Sequence, residues 1–135
     1  MIQNNEVKLK KFTFANHNQI LFDCDNKITI EFIEDGSCII DIFSYRCCLT
    51  KKVNSSITNN ILKLLEDIKI ESWKRKYKPV NMIILDGESW NIKLEYFNGK
   101  KIYRSGDNMY PDNYNQLENL IVYVYDCVGN DFEKK

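Results

Sequence analysis

The sequence predicts an α+β domain in which an antiparallel sheet, or two, of roughly six to eight strands carries two packed helices. Three observations predict this class. Several segments alternate apolar and polar residues, as at Ile28, Ile30 and Phe32, which is the period of a strand with one buried face. Asp-Gly and Asn-Gly pairs between such segments favour hairpin turns, because glycine accepts positive φ. Two further segments repeat apolar residues at helical spacing.

The N-terminal half begins with predicted strands. Residues 8–14 and 19–24 have the composition of short strands around a turn at residues 16–18, and residues 27–33 alternate well. Asp35-Gly36 then predicts a two-residue hairpin turn. We therefore expect a run of antiparallel strands before the first helix.

The segment that leads into the first helix is more apolar. Residues 38–43 form a nearly continuous apolar run, which favours a central strand covered on both faces. Residues 45–53 extend that strand or form another. A helix is predicted over residues 57–68, because its apolar residues form one stripe. Its N-cap is Ser55 or Ser56, whose hydroxyl can accept a hydrogen bond from a free amide of the first turn.

The C-terminal half predicts an antiparallel meander. Strands at residues 82–85, 88–97 and 100–104 are joined by Asp86-Gly87 and Asn98-Gly99. Along the middle strand, Trp90 and its alternate neighbours face one way and polar residues face the other, so one face is buried and one is wet.

The register of the last hairpin has two alternatives. A strict two-residue turn at Asn98-Gly99 pairs Leu94 with Tyr103 and leaves Ile102 on the wet face, whereas a bulged turn reverses this arrangement. The sequence does not choose between them.

The second predicted helix carries an apolar stripe from Tyr114 to Cys127. Asp112 or Asn113 can cap its start, and Gly129 is expected to end it. Each half of the chain thus places a hairpin before a helix. A duplication, with two β-β-α units sharing one sheet and both helices on one face, is an alternative to chance similarity.

Length and charge limit the classes of function. We expect one domain at residues 8–129, between a flexible N-terminus at 1–7 and a polar tail at 130–135. Lys+Arg and Asp+Glu both number 19, so the net charge is zero, and nucleic acid is not an expected partner without a basic excess. No apolar run approaches the roughly 18 residues of a membrane span, and no signal-peptide pattern opens the chain. We therefore expect a cytoplasmic protein with no membrane contact, while its oligomeric state stays open.

The usual residue sets for catalysis and metal binding are missing from the sequence. His17 is the only histidine, and the five cysteines include no C-x-x-C pair, so a zinc site is not expected. No glycine-rich phosphate loop is present. We expect no cofactor and no metal, and cysteines that act as small buried apolar groups in a reducing compartment. An enzyme built on Cys47 or Cys48 with His17 stays as an alternative.

The first candidate contact site is the basic segment, residues 73–78, in which cations alternate with aromatic rings. It can grip a single nucleic-acid strand by stacking and phosphate contacts, or it can bind an acidic partner protein. It can also be a solvated linker whose rings anchor it while its cations reach water. The binding hypotheses require an exposed aromatic and basic patch. The candidate binding residues are Trp73, Lys74, Arg75, Lys76 and Tyr77.

The second candidate site is the polar turn before the second helix. Gly106 permits a backbone turn that other residues resist, Asp107 and Asn108 can bond their own backbone, and Tyr110 can pack on the first helical turn. These roles describe a joint between sheet and helix. Loops on rigid scaffolds also carry binding sites, so a polar, aromatic-rimmed pocket using Ser105, Asp107, Asn108 and Tyr110 is the alternative.

Residues 70–122 contain three motifs that recur together elsewhere. They resemble a group of small uncharacterised bacterial proteins, in which a Trp, a DG-x-x-W strand and a G-x-N-x-Y-P turn precede a C-terminal helix. The resemblance implies a compact α+β domain and brings no activity. The motifs in this chain are Trp73-x-x-x-Tyr77, Asp86-Gly87-x-x-Trp90 and Gly106-x-Asn108-x-Tyr110-Pro111.

For function, we expect a non-catalytic cytosolic protein-binding module with an unidentified protein partner. Small bacterial or phage proteins that lack a catalytic set are often inhibitors, immunity proteins or anti-defence factors, and that frequency is the basis of this expectation. The contact surface would join the basic segment to the turn at residues 105–110. The alternative is a small-molecule or nucleotide-binding protein that uses the turn from Ser105 to Tyr110 as a pocket.

Overall fold

The structure is a computed structural model, and it describes residues 8–18, 24–44, 47–78 and 88–133. The described strands form one seven-stranded sheet, and two helices accompany it. This arrangement confirms the predicted α+β class. The elements in chain order are β1 Leu9–Asn18, β2 Cys24–Phe32, β3 Cys38–Ser44, β4 Cys47–Val53, α1 Ser55–Ile68, a single 3-10 turn at Ile70–Ser72, β5 Lys76–Tyr77, β6 Glu88–Tyr96, β7 Lys101–Asp107 and α2 Tyr114–Glu133.

Strands β1 and β6 join the two halves of the chain in this sheet. The strand order is β4-β3-β2-β1-β6-β7-β5, and neighbouring strands are antiparallel except for β5 and β7. Strand β6 pairs with β1 along one edge and with β7 along the other. The predicted meander, in which a further strand pairs with β6, is therefore wrong. The strand predicted at residues 82–85 lies outside the described residues, as does most of the strand predicted at 19–24.

One face of the sheet carries the core. Burial alternates along the strands. In β1, Phe12 and Phe14 are buried, whereas Lys11 before them and Thr13 between them are half-buried. The two helices contact each other and share one apolar cluster with this face. Both helices therefore cover the same face, as expected for two β-β-α units, and the other sheet face carries mainly polar side chains.

Two strand predictions in the N-terminal half are wrong. Residues 16–18, predicted as a turn, continue β1, because they pair with β2 on one side and β6 on the other. Strand β3 is not covered on both faces, since Asp41 is exposed and the Phe43 side chain is 53% exposed. Its apolar run therefore includes side chains on the open face of the sheet.

Helix α1 has a different cap from the predicted one. The N-cap is Asn54, whose side-chain oxygen accepts a hydrogen bond from the backbone N–H of Ile57 at 3.0 Å. Asparagine caps helices as well as serine does, and here it precedes both Ser55 and Ser56, which lie in the helix.

The β2–β3 and β6–β7 hairpins each close through a three-residue loop with a glycine at positive φ. Gly36 and Gly99 each have φ of 94°, and the flanking backbone groups bond across the loop. The turn at residues 35–36 is therefore one residue longer than predicted. At the second hairpin the bulged alternative holds, because Leu94 lies opposite Ile102, and Ile102 is 9% exposed while Tyr103 is 54% exposed.

Helix α2 continues through Gly129 as far as Glu133, so the predicted stop at Gly129 is wrong. Val124 and Val128, which precede this position in the helix, are buried. Their packing outweighs the roughly 1 kcal/mol that glycine costs inside a helix. Residues 130–133, predicted as part of the tail, belong to this helix. In the described part of the chain, neither helix has the length and apolarity that crossing a membrane requires.

Candidate functional site

Trp73 of the basic segment is buried. Its side chain is 7% exposed, and its indole N–H donates a hydrogen bond to Oδ1 of Asn113 at 2.9 Å. Asn113 also donates to the carbonyl of Ile68 at the end of α1, so its side chain links the two helix ends to Trp73. The binding hypotheses required an exposed ring at Trp73. That prediction is wrong, because the ring is buried and anchors the linker to the core.

The rest of the basic segment is a short edge strand. Lys76 and Tyr77 pair in parallel with Ser105 and Gly106 of β7, and Tyr77 is half-buried. Its hydroxyl accepts a hydrogen bond from the backbone N–H of Lys74 at 2.9 Å. The side chains of Lys74, Lys76 and the neighbouring Arg75 are exposed. The cations therefore reach solvent while both rings turn toward the protein.

Two residues predicted in the polar turn belong to a strand instead. Ser105 pairs with Asn91, and Asp107 pairs with Ser89, so β7 extends beyond the predicted end at residue 104. Because Gly106 and Ile102 lie on the buried face, the alternation of a strand directs the Ser105 and Asp107 side chains to the open face. They do not join a pocket with Tyr110.

Gly106 and Asn108 have roles that differ from those predicted. Gly106 does not have positive φ. A Cβ there would lie 2.4 Å from both the Met109 carbonyl and the Trp90 indole nitrogen, so the close approach of these groups requires glycine. Asn108 takes the left-handed conformation, with φ of 54°. Its side-chain oxygen accepts from the backbone N–H of Glu88 at 2.9 Å, which fixes the end of β7 against the start of β6.

Five rings meet behind this turn and form the aromatic cluster. Trp90 is its centre, stacked on Tyr110 at 6.4 Å between centroids and edge-on to Trp73 at 5.9 Å. Its indole N–H donates to the Met109 carbonyl at 2.9 Å. Tyr110 and Tyr114 lie 4.6 Å apart. The members of the aromatic cluster are Trp73, Tyr77, Trp90, Tyr110 and Tyr114.

The three sequence motifs converge on this cluster. The first supplies Trp73 and Tyr77, the second supplies Trp90, and the third supplies Gly106 beneath the indole and Tyr110 beside it. Their spacing in the sequence is thus explained by packing around one buried indole. A role in the core accounts for much of the motif without any ligand.

A chain of hydrogen bonds leads from Tyr110 along one end of the sheet. The Tyr110 hydroxyl donates to Oε1 of Glu88 at 2.6 Å, and Nδ2 of Asn16 donates to Oε2 of the same carboxylate at 2.8 Å. Asn26 in turn donates to Oδ1 of Asn16 at 3.1 Å. Burial, followed by the hydrogen bond to Glu88, raises the pKa of Tyr110 above its ordinary value, so its phenol stays neutral and acts as a donor.

The α2 groove lies between this polar end of the sheet and helix α2. It has a volume of about 660 Å³, which is within the usual range for ligand pockets. Sheet side chains form one wall, α2 forms the other, and Tyr110 with Tyr114 closes one end. The groove is lined by Phe14, Asn16, Asn26, Ile28, Glu88, Tyr110, Tyr114, Glu118, Ile121, Val122 and Tyr125.

Among the residues predicted from the sequence to bind, only Tyr110 lines the α2 groove. Sequence reasoning missed Glu88, Asn16 and Asn26. A signal for them exists in the sequence, because each lies two residues from an apolar core residue such as Trp90 or Phe14. The alternation of a strand therefore places each of them on the buried face. A carboxylate or amide at a core-facing position is unusual, and three of them at one end of a sheet indicate a polar site.

A second cleft, of about 1030 Å³, lies at the opposite end of the sheet beside α1 and the two hairpin loops. Two of its polar side chains already serve the fold. Ser37 bonds Asp35 within the hairpin loop, and Thr58 bonds the carbonyl of Asn54 at the helix cap. The α2 groove is the stronger candidate, because its carboxylate is held by neutral donors and retains capacity to accept.

The enzyme alternative does not fit the geometry. His17 lies in β1 and both Cys47 and Cys48 lie in β4, with β2 and β3 between them, which separates the backbones by about 14 Å at roughly 4.8 Å per strand. A nucleophile and its base need hydrogen-bonding contact. Across residues 8–18, 24–44, 47–78 and 88–133, no group of His, Cys, Asp and Glu side chains could hold a metal ion.

The described cysteines agree only in part with the expectation of buried thiols. Cys38 is buried, and burial raises the pKa of its thiol, so it is a packing residue. Cys127 is half-buried, and burial raises its pKa as well. Cys48 is exposed, because it lies on the open side of an edge strand.

A scan against protein-family models and a search of the curated proteins match nothing to this chain. The resemblance to small bacterial proteins therefore stays a prediction. Function has to be argued from the α2 groove itself.

Proposed function

We propose that this chain is a non-catalytic protein-binding module that holds its partner in the α2 groove. The observation that carries the proposal is the exposed apolar wall of α2. Val122 is 57% exposed and Tyr125 is 38% exposed, one helical turn apart on the same side. Both line the groove beside Ile121. Exposed apolar side chains next to a rigid polar site are typical of protein contact surfaces.

The arrangement favours a protein partner over a free small molecule. A small-molecule site usually encloses most of its ligand, whereas the apolar wall of this groove is open to solvent along α2. A helix or extended segment of a partner could cover Val122 and Tyr125 while a polar group reaches Glu88. We also propose that the module works in the cytoplasm as an inhibitor, immunity or anti-defence factor, which requires binding and no chemistry.

A pull-down with matched variants tests the proposal. Val122→Arg places a long cation in the groove, and an exposed helical position tolerates it. Phe43→Arg is the control, because Phe43 is exposed to a similar extent, 53%, on the opposite sheet face. We expect the wild type and Phe43→Arg to retain one stoichiometric protein from nuclease-treated bacterial lysate, and Val122→Arg to lose it.

Other outcomes contradict the proposal. Loss with Phe43→Arg but not with Val122→Arg moves the contact to the open sheet face. If both variants retain the protein from untreated lysate and lose it after nuclease treatment, nucleic acid is bound elsewhere. The exposed Lys74, Arg75 and Lys76 are then the next surface to change.

A small-molecule binder is the second candidate, since the volume of the groove and its converging Tyr110, Glu88 and Asn16 side chains suit a compact ligand. Nucleotides fit poorly, because the described lining holds two carboxylates and no cation for a phosphate. A thermal-shift screen with amines and nucleotides tests this candidate, which predicts a saturable rise in melting temperature with one ligand class.

A further inference from the structure

The lining of the α2 groove is acidic. Glu88 and Glu118 are its charged residues, and no Lys or Arg is among the described side chains that line it. The described lining of the groove is therefore negatively charged, although the net charge of the chain is zero.

The Glu88 carboxylate is held in place by hydrogen bonds, and no cation among the described residues is bonded to it. Its two oxygens accept from Tyr110 and Asn16, which are uncharged donors. Ionised carboxylate oxygens each offer more than one acceptor direction, so the group can accept a further donor from outside. Glu88 and Glu118 line the same groove as the Tyr110 and Tyr114 rings. Burial, followed by the nearby charge of Glu88, raises the pKa of Tyr114.

Aromatic rings flank these carboxylates. Tyr110 and Tyr114 close one end of the groove, and Tyr125 lines the α2 wall. The face of an aromatic ring attracts a cation, and the apolar Ile121 and Val122 suit the alkyl stem or an apolar neighbour of that cation. Carboxylates, rings and an apolar strip together are complementary to a basic side chain in an apolar setting.

We infer that the α2 groove receives a lysine or arginine side chain of the partner protein, flanked by apolar residues, with its cation beside Glu88 and Glu118. This inference rests on the proposed function. It also gives the partner a positive charge at the contact. The basic segment suggested the opposite, since the exposed side chains of Lys74 to Lys76 would select an acidic partner.

A peptide pair tests the charge requirement directly. The probe is acetyl-Leu-Arg-Leu-Arg-Leu-amide, and its match contains citrulline in place of arginine, which keeps the shape and removes the charge. We expect the arginine peptide at millimolar concentration to shift amide NMR signals of the groove, among them Glu88 and Tyr114. The citrulline peptide should bind roughly tenfold more weakly, because charge-assisted hydrogen bonds are about twice as strong as neutral ones.

Isosteric variants localise the effect. Glu118→Gln removes one exposed carboxylate of the groove, and Glu66→Gln removes an exposed carboxylate of α1 outside it. We expect Glu118→Gln to weaken the arginine peptide by roughly two- to fivefold, as for other exposed ion pairs, and Glu66→Gln to leave it unchanged. Equal binding of both peptides, or no shifts in the groove, overturns the inference.

The two proposals can fail separately. In one outcome, Val122→Arg loses the partner while the double variant Glu88→Gln with Glu118→Gln retains it at wild-type affinity. The protein-binding function then stands, and the inference that the groove receives a cation is wrong. If the protein forms a concentration-dependent dimer that Glu118→Gln weakens, the cation belongs to a second copy of this chain, and the inference of a separate partner is overturned.

Discussion

The basic segment and the α2 groove meet at the same aromatic cluster and differ in almost every other respect. The basic segment is continuous in sequence and exposes mainly its cations, because Trp73 and Tyr77 turn toward Trp90. The α2 groove is drawn from β1, β2, β6 and α2, and it is acidic and rich in exposed apolar surface. A charge run is visible in a sequence, whereas the direction of its rings depends on packing against distant residues.

The largest expected effect separates the two kinds of residue in the basic segment. Trp73→Ala should lower the free energy of unfolding by roughly 3–5 kcal/mol, as for other buried aromatic residues, and it also removes the hydrogen bond to Asn113. Lys74→Ala should cost less than about 1 kcal/mol, since its ammonium only lies near the exposed side of the Tyr77 ring. Urea unfolding followed by circular dichroism measures both.

Comparable small losses in Trp73→Ala and Lys74→Ala would contradict the core role of Trp73. The exposed patch predicted from the sequence would then return as a contact surface. If only Trp73→Ala loses stability, the cations of the basic segment can be replaced without damage to the fold. Their role in binding can then be tested directly.

The sequence predicted the local parts of this fold and missed the long-range ones. Strand alternation and helical stripes are properties of neighbouring residues, so β6, α1 and the start of α2 could be located in advance. The pairing of β1 with β6 joins residues such as Phe14 and Ile92 that are far apart in the chain. No local pattern encodes that choice, because the hydrogen bonds of a strand do not depend on which side chains it carries.

The same division explains the candidate site. Tyr110 was recognised because turns rich in polar and aromatic residues are visible locally. Its acceptor Glu88 lies in another strand, and Asn16 in a third. The role assigned to Gly106 was wrong for a related reason, since a need for space under the Trp90 ring cannot be distinguished from a need for positive φ in a sequence.

The next effect in size tests whether the cluster supports both regions. Gly106→Ala should cost roughly 1–3 kcal/mol, as overpacking does, because the new Cβ would lie 2.4 Å from the Trp90 indole nitrogen and the Met109 carbonyl. Gly129→Ala is the matched control, since apart from its chain neighbours and the nearby backbone of α2 no atom lies within 4 Å of its Cβ position. Alanine there should stabilise the helix by up to about 1 kcal/mol. Thermal or urea unfolding that gives both variants the same sign would refute the close-approach argument.

The smallest expected effect concerns the hydrogen bond between the aromatic cluster and the α2 groove. Tyr110→Phe removes the donor to Glu88 and should cost about 1 kcal/mol near neutral pH, a typical value for a hydrogen bond that is partly open to water. Tyr103→Phe, on the open sheet face, is the control for loss of one tyrosine. Urea unfolding of the two variants beside the wild type measures the difference.

The same variant changes the response to alkaline pH. Tyr110 and Tyr114 have raised pKa values in the folded protein, chiefly through burial, and burial with the bond to Glu71 raises the pKa of Tyr96 to about 12. The unfolded chain therefore loses these protons first, near the ordinary tyrosine pKa of about 10. The stability they contribute is complete below that pH and declines as pH rises through the folded values. Stability of Tyr110→Phe should fall less steeply above about pH 10 than that of the wild type or Tyr103→Phe. An identical slope for Tyr110→Phe and the wild type would mean that folding does not raise the pKa of Tyr110.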